Sequence, residues 1–273
     1  MRTGGVRGTA VDRWMVAVTC GVLLMSVPGC GGSAGESHRV KGPDPTRDGR
    51  TLRGAPGNGA GSTPAPMPGP SRIPGVGDGL DRRIPDGSRQ VVVVYGDDED
   101  SPDSTVVLYL KEGSAWKESG RWRGHNGKAG WTTDHYMGDL RTPVGVFTLS
   151  DAGGLLDDPG TKLPYSQGES YEAPEGWDES HRNVFDYVIA IDYNRLRGTP
   201  PHDPTRPEGE EKGGGIWLHV DHEDGTLACV TLPESGMRHL LRVLDPDQEP
   251  VVVMGDRAHL KAWKQPEEPT DAQ

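Results

Sequence analysis

Cys229 and His219 carry the strongest chemical signal in this chain. They stand ten residues apart between two apolar runs. A thiolate is a potent nucleophile, and a neighbouring imidazole is the usual base that generates one. The chain has three cysteines. Cys20 lies in an apolar N-terminal stretch and Cys30 closes it, so Cys229 has no partner to pair with. An unpaired thiol in an exported protein is a candidate reactive group. The segment Gly213-Gly214-Gly215-Ile216-Trp217-Leu218-His219-Val220 reads as a strand ending at the histidine, and Thr226-Leu227-Ala228-Cys229-Val230-Thr231-Leu232 as a second. A tight acidic turn at 221–225 would join the two and bring ring and sulfur within hydrogen-bond reach. The small Ala228 leaves the backbone N–H groups of Ala228 and Cys229 open to serve as an oxyanion hole. This combination suits acyl transfer, with Cys229 as nucleophile and His219 as proton carrier. Trp217, Asp221 and Thr226 are candidates for substrate contact, and Asp221 also for orienting His219.

The same residues have plainer readings. Cysteine is often a small buried hydrophobe, and His219 could be a satisfied strand histidine. His222 suggests a metal site with His219 and Cys229. Three positions along a strand, however, put the two rings on opposite faces, so no metal is expected. His125, His135 and His181 are expected at the surface. Trp116, Trp122, Trp131, Trp177 and Trp217 are expected in the core.

The elements that position this chemistry begin near residue 90. The runs 90–95, 105–111, 114–123, 144–149, 184–193, 215–220, 226–232 and 251–254 read as strands. One helix follows the cysteine strand: after Pro233, Met237, Leu240, Leu241 and Leu244 recur at helical spacing, and Asp245-Pro246 ends it. The fold is therefore expected to be mostly β. Two long stretches, 153–183 and 195–214, lack periodicity. Tyr165, Tyr171 and Trp177 in the first suggest a lid, whereas the second reads as solvated and mobile.

Before residue 90 the composition changes. Much of the chain's 40 Gly and 24 Pro falls there. Residues 30–89 read as a flexible tether with too little apolar surface to fold. Ahead of it, Arg2, Arg7 and Arg13 precede an apolar stretch, 14–27, of signal-peptide length and too short to span a bilayer. Val27-Pro28-Gly29-Cys30 is similar to a bacterial lipoprotein signal, with residues 1–29 removed and Cys30 acylated. The expected location is the cell envelope, lipid-anchored on the outer face of the cytoplasmic membrane. A net charge of -12 argues against nucleic-acid binding.

Taken together, residues 90–256 resemble the L,D-transpeptidase catalytic domain, with 257–273 as a tail. The hallmark of that family is a histidine followed by Ser/Thr-x-Gly-Cys; here His219, Thr226, Ala228 and Cys229 take those places. Arg141-Thr142-Pro143-Val144-Gly145-Val146-Phe147 is similar to the family's Thr-Pro-x-Gly-x-Phe strand. The run ending at Tyr193-Asn194 and the helix after Pro233 also match. Leu227 stands where many members carry a second histidine. The resemblance implies a β-sandwich-like fold with one helix after the cysteine strand, and an enzyme of peptidoglycan stem peptides that needs no metal or organic cofactor. Cys229 would attack the carbonyl after an L-centre, expel D-Ala and pass the acyl group to an amine, giving a 3→3 cross-link. Water as acceptor would make it an L,D-carboxypeptidase. A site disabled by Ala228 and Leu227 would leave a silent wall-associated scaffold lipoprotein.

Overall fold

Four consecutive valines, Val91 to Val94, organise the molecule. A continuous β-branched run is stable as a strand only if both its faces are covered. In the computed structural model, which describes residues 70–263, this strand is buried along its whole length. In chain order the elements are α1 (Asp78–Asp81), β1 (Gln90–Gly96), β2 (Asp103–Glu112), β3 (Ala115–His125), β4 (Trp131–Thr132), β5 (Thr142–Pro143), β6 (Gly145–Thr148), β7 (Ala152–Gly154), β8 (Tyr165–Gln167), β9 (Val188–Ala190), β10 (Trp217–Val220), β11 (Val230–Leu232), α2 (Glu234–Val243), β12 (Val251–Asp256) and α3 (Arg257–Ala262).

The fold is mostly β. One five-stranded sheet runs β3-β2-β1-β12-β6, a second runs β11-β10-β9-β7-β8, and β4 and β5 form a two-residue ladder. Strand alternation divides the apolar residues of the first sheet. Val92, Val94, Val106, Leu108, Val252 and Met254 share the central core with Ile189, Leu218, Val230 and Leu232 of the second sheet, and with Met237, Leu240 and Leu241 of α2. As the periodicity predicts, α2 buries this stripe and Leu244 caps it.

The intervening residues, Val91, Val93, Tyr95, Val107, Tyr109, Val251 and Val253, point to the opposite face. There they pack with Ile73, Val76, Leu80 and Leu260. This corrects two sequence expectations. Residues 70–89 are not tether, and residues 257–263 are not a loose tail; together they cover the outer face of the first sheet. Each buried Ile, Val or Leu removes enough apolar surface from water to contribute about 2 kcal/mol, so a few well-placed residues suffice. The glycines of this segment permit close approach. A Cβ at Gly77 would sit 2.0 Å from the Lys261 carbonyl oxygen, and one at Gly79 would sit 2.2 Å from that of Trp263.

The long loops are more structured than their composition suggests. The first contains β7, β8 and single 3-10 turns at Glu169–Tyr171 and Glu179–His181. The second is fastened by Arg195, which is buried and bonded to Asp151 at 2.9 Å and Asp192 at 2.5 Å. Asn194 adds hydrogen bonds to the carbonyls of Gly209 and Gly213. Among the described residues no helix is long and apolar enough to cross a membrane. The expected signal segment, the Cys30 lipidation site and most of the expected tether lie outside the described residues.

Candidate active site

The two segments that carry His219 and Cys229 are not a hairpin. β10 and β11 are adjacent and parallel, with Leu218 opposite Val230 and His219 opposite Thr231. Residues 221–229 leave the sheet, bridge to Gly127 just past the end of β3, and return. Thr226 N–H donates to the Asn126 carbonyl at 2.9 Å, and Lys128 N–H donates to the Thr226 carbonyl at 2.8 Å. Cys229 lies just before β11, and its sulfur reaches across to the backbone N–H of Trp217 on β10, two residues before His219. Cys229 and His219 line one cavity of about 840 Å³, together with Trp217, Phe185, Thr226 and Ala228.

Hydroxyl groups hold the cysteine backbone in place. Thr142 is fully buried; it accepts from Gly127 N–H at 2.8 Å and donates to the Ala228 carbonyl at 2.9 Å. Thr226 donates to the Cys229 carbonyl at 2.7 Å. Within one peptide unit the C=O and N–H point in opposite directions, so the carbonyl engaged by Thr142 turns the Cys229 N–H the other way. Among the described residues no acceptor meets the N–H of Ala228 or Cys229. Ala228 is not among the residues with left-handed φ, so its methyl group carries no backbone strain.

Sulfur and imidazole are not hydrogen-bonded to each other. Cys229 Sγ accepts from Trp217 N–H at 3.4 Å and donates to the Gly215 carbonyl at 3.7 Å. Burial pushes the thiol up to about 11, partly offset by the Trp217 N–H. His219 Nδ1 lies 3.0 Å from the Val220 carbonyl; a proton held there leaves Nε2 as the basic nitrogen. Burial holds the His219 ring down to about 4, against smaller opposing effects of the Val220 carbonyl and Asp221. At neutral pH both partners are therefore uncharged.

The histidine sits in a closed circuit of rings. Phe185 meets His219 edge-on at 5.2 Å, and His222 stacks on it at 6.0 Å and 19°. His181 lies 4.5 Å from His222, Trp177 lies 5.8 Å from His181, and Phe185 lies 6.2 Å from Trp177. The expectation that His219 and His222 occupy opposite faces is corrected here, because the strand ends at Val220 and the chain turns back. The rings stack instead of converging on a point, and among the described residues no three His, Cys, Asp or Glu side chains are grouped to hold a metal.

The other expected site residues separate. Trp217 lines the cavity and donates its indole N–H to the Pro201 carbonyl at 3.1 Å. Thr226 also lines it, but its hydroxyl is spent on backbone. Asp221 turns away from His219. It takes hydrogen bonds from Thr231 and from His125 Nδ1, the latter at 2.7 Å. Burial opposes the charge on Asp221, but these bonds and the nearby imidazole prevail and hold its carboxyl below the usual range. His125 and His135, expected at the surface, are half-buried and buried, and His135 lies 2.9 Å from Asp139. Of the tryptophans, Trp131 and Trp116 are core residues, while Trp177 is exposed at the cavity rim. Sequence reasoning missed Thr142 as a clamp, although it stands in a motif already singled out. It also missed Phe185 and His181, whose roles depend on how a distant loop folds back.

No family model matches the chain, and no curated protein matches it. Among solved structures it is similar to the "Structure of Bdellovibrio bacteriovorus Bd1075", at 18% identity and a TM-score of 0.36. That match covers 68% of this chain and 52% of the other, so the chain spans about half the length of that protein.

Proposed function

We propose that the cavity is the active site of a cysteine acyltransferase acting on peptidoglycan stem peptides, as an L,D-transpeptidase. The observation that carries this reading is that Cys229 and His219 line one cavity, with Cys229 immediately before β11, the strand that runs beside the His219 strand β10. The unmet N–H groups of Ala228 and Cys229 supply donors for the oxygen of a tetrahedral intermediate.

The protonation states define the order of events. Burial raises the thiol and lowers the imidazole, so both effects favour the neutral pair over thiolate–imidazolium. The resting thiol is therefore neutral. The mechanism requires the thiol to exchange the Gly215 carbonyl for His219 on substrate binding. The thiol proton passes to His219 as Sγ bonds to the carbonyl carbon. The C–N bond to D-Ala then breaks, and His219 returns the proton to the leaving amine. An acceptor amine attacks the thioester and restores the thiol. Water in that role would make the protein a carboxypeptidase. The same reading has the protein at the cell envelope, held by lipid on Cys30.

The test is incubation of the full-length protein with a tetrapeptide stem, followed by mass analysis. A Cys229 adduct with D-Ala release is expected, absent in Cys229→Ala. A cross-linked dimer identifies the transpeptidase and D-Ala alone the carboxypeptidase; the absence of both products refutes the reading. A second reading, a catalytically silent wall-associated protein, is favoured by the Sγ contacts, which go to backbone and not to imidazole.

A further inference from the structure

A second cavity, of about 380 Å³, opens on the outer face of the first sheet and shares no lining residue with the first. Its polar floor is the hydroxyl pair of Tyr95 and Tyr109, 3.3 Å apart. Tyr95 donates to the Pro74 carbonyl at 2.6 Å, which commits its proton. The Tyr109 proton is less committed, because 3.3 Å is long for an O–H···O bond. Burial pushes the Tyr95 hydroxyl well above its usual range, so it stays neutral.

Three cations stand around this floor: Arg121 from β3, and Arg257 and Lys261 from α3. Arg121 forks onto Glu118, and Arg257 lies 3.5 Å from Asp97. Both carboxylates are solvent-exposed, and such pairs contribute little. Among the described residues Lys261 has no carboxylate partner. Glu118 and Asp97 offset two of the three charges, so in a chain of net charge -12 the hollow keeps one cation, Lys261, without a carboxylate partner among the described residues. A planar carboxylate is satisfied by a single arginine fork. Cations from two elements, with a phenol below them, suit an oxyanion that accepts from several directions.

We propose that this cavity binds a phosphate ester, through Arg121, Arg257, Lys261 and the Tyr109 hydroxyl. The volume exceeds that of a phosphate alone and leaves room for the esterified group. A soluble phosphate ester and a phospholipid headgroup offer the same chemistry. The site is independent of Cys229.

The full-length protein is titrated with glycerol 3-phosphate by calorimetry, with glycerol as the uncharged control. In parallel it is sedimented with phosphatidylglycerol or phosphatidylcholine vesicles. Binding of the ester, or a preference for phosphatidylglycerol, is expected, and it weakens with salt. Arg257→Gln with Lys261→Ala weakens it about tenfold or more. Tyr109→Phe weakens it less. Lys117→Ala, an exposed cation elsewhere on β3, leaves it unchanged. A soluble-only response assigns a free ester, and a vesicle-only response a lipid. No binding in either arm, equal affinity in the double variant, or an equal loss in Lys117→Ala overturns the proposal.

Discussion

The two sheets are built on different principles. The first has strands of up to eleven residues held by long ladders and β-branched burial on both faces. The second, where Cys229 lies immediately before β11, has strands of three or four residues. Side-chain hydroxyls and one buried arginine, Arg195, paired with two aspartates hold the loops around it. A platform can be made from local propensity alone. A site that must present unmet N–H groups cannot, because a regular ladder would consume them.

If that contrast holds, damage to the platform lowers stability without altering the proposed chemistry, and damage to the site alters that chemistry out of proportion to the stability lost. The largest effect is expected from beginning the chain at residue 90. This removes Ile73, Val76 and Leu80 from the outer core, and circular dichroism should show a chain without a cooperative melt. Leu80→Ala is smaller, at about 3 kcal/mol. Urea unfolding should register the loss, while D-Ala release per folded molecule stays at the parent rate; a drop in that rate would couple the platform to the site.

Acid should act on the site side. Between pH 6.5 and about 4, the unfolded chain binds a proton at His219 that the folded chain excludes. Stability therefore falls as pH falls through that window, by about 3 kcal/mol in all. Urea titrations from pH 4 to 8 should show the slope in the parent and in Val93→Ala, but largely lose it in His219→Gln. His222, which burial also holds below its usual range, contributes in the same direction.

Thr142→Val should cost about 2 kcal/mol by orphaning the Ala228 carbonyl. If the proposed activity holds, the substitution should also reduce D-Ala release by well over tenfold, a disproportion not expected of any first-sheet variant. The smallest effect is expected at Ala228→Gly. With no left-handed φ to relieve, the change should stay within about 1 kcal/mol, and turnover should hold within a few-fold.

Local pattern reveals only the platform. β1, β2, β3, β12 and α2 are legible because their apolar residues lie close together in sequence at a fixed period. The cover over Val91 and Val93 is not, because Ile73, Val76 and Leu80 are scattered among Gly, Pro and Asp and imitate a linker. The approach of β10 to β11 was legible, but its parallel sense was not, since nothing in 221–229 distinguishes a hairpin from an excursion to β3. Cys229 and His219 stood out by residue type. Asp221 looked like a partner for His219 by proximity in sequence, yet it serves His125, 96 residues away.

The ladder between β1 and β12 also has a mechanical side. The strands run parallel through six registered pairs, one near each end of the described chain. Tension applied through residues 70 and 263 drags the two strands past each other lengthwise. All the rungs then bear load together and do not unzip in turn. Stretching single molecules between those points should give one high rupture force, whereas a stepwise low-force trace would mean that the clasp of α1 on α3 yields first.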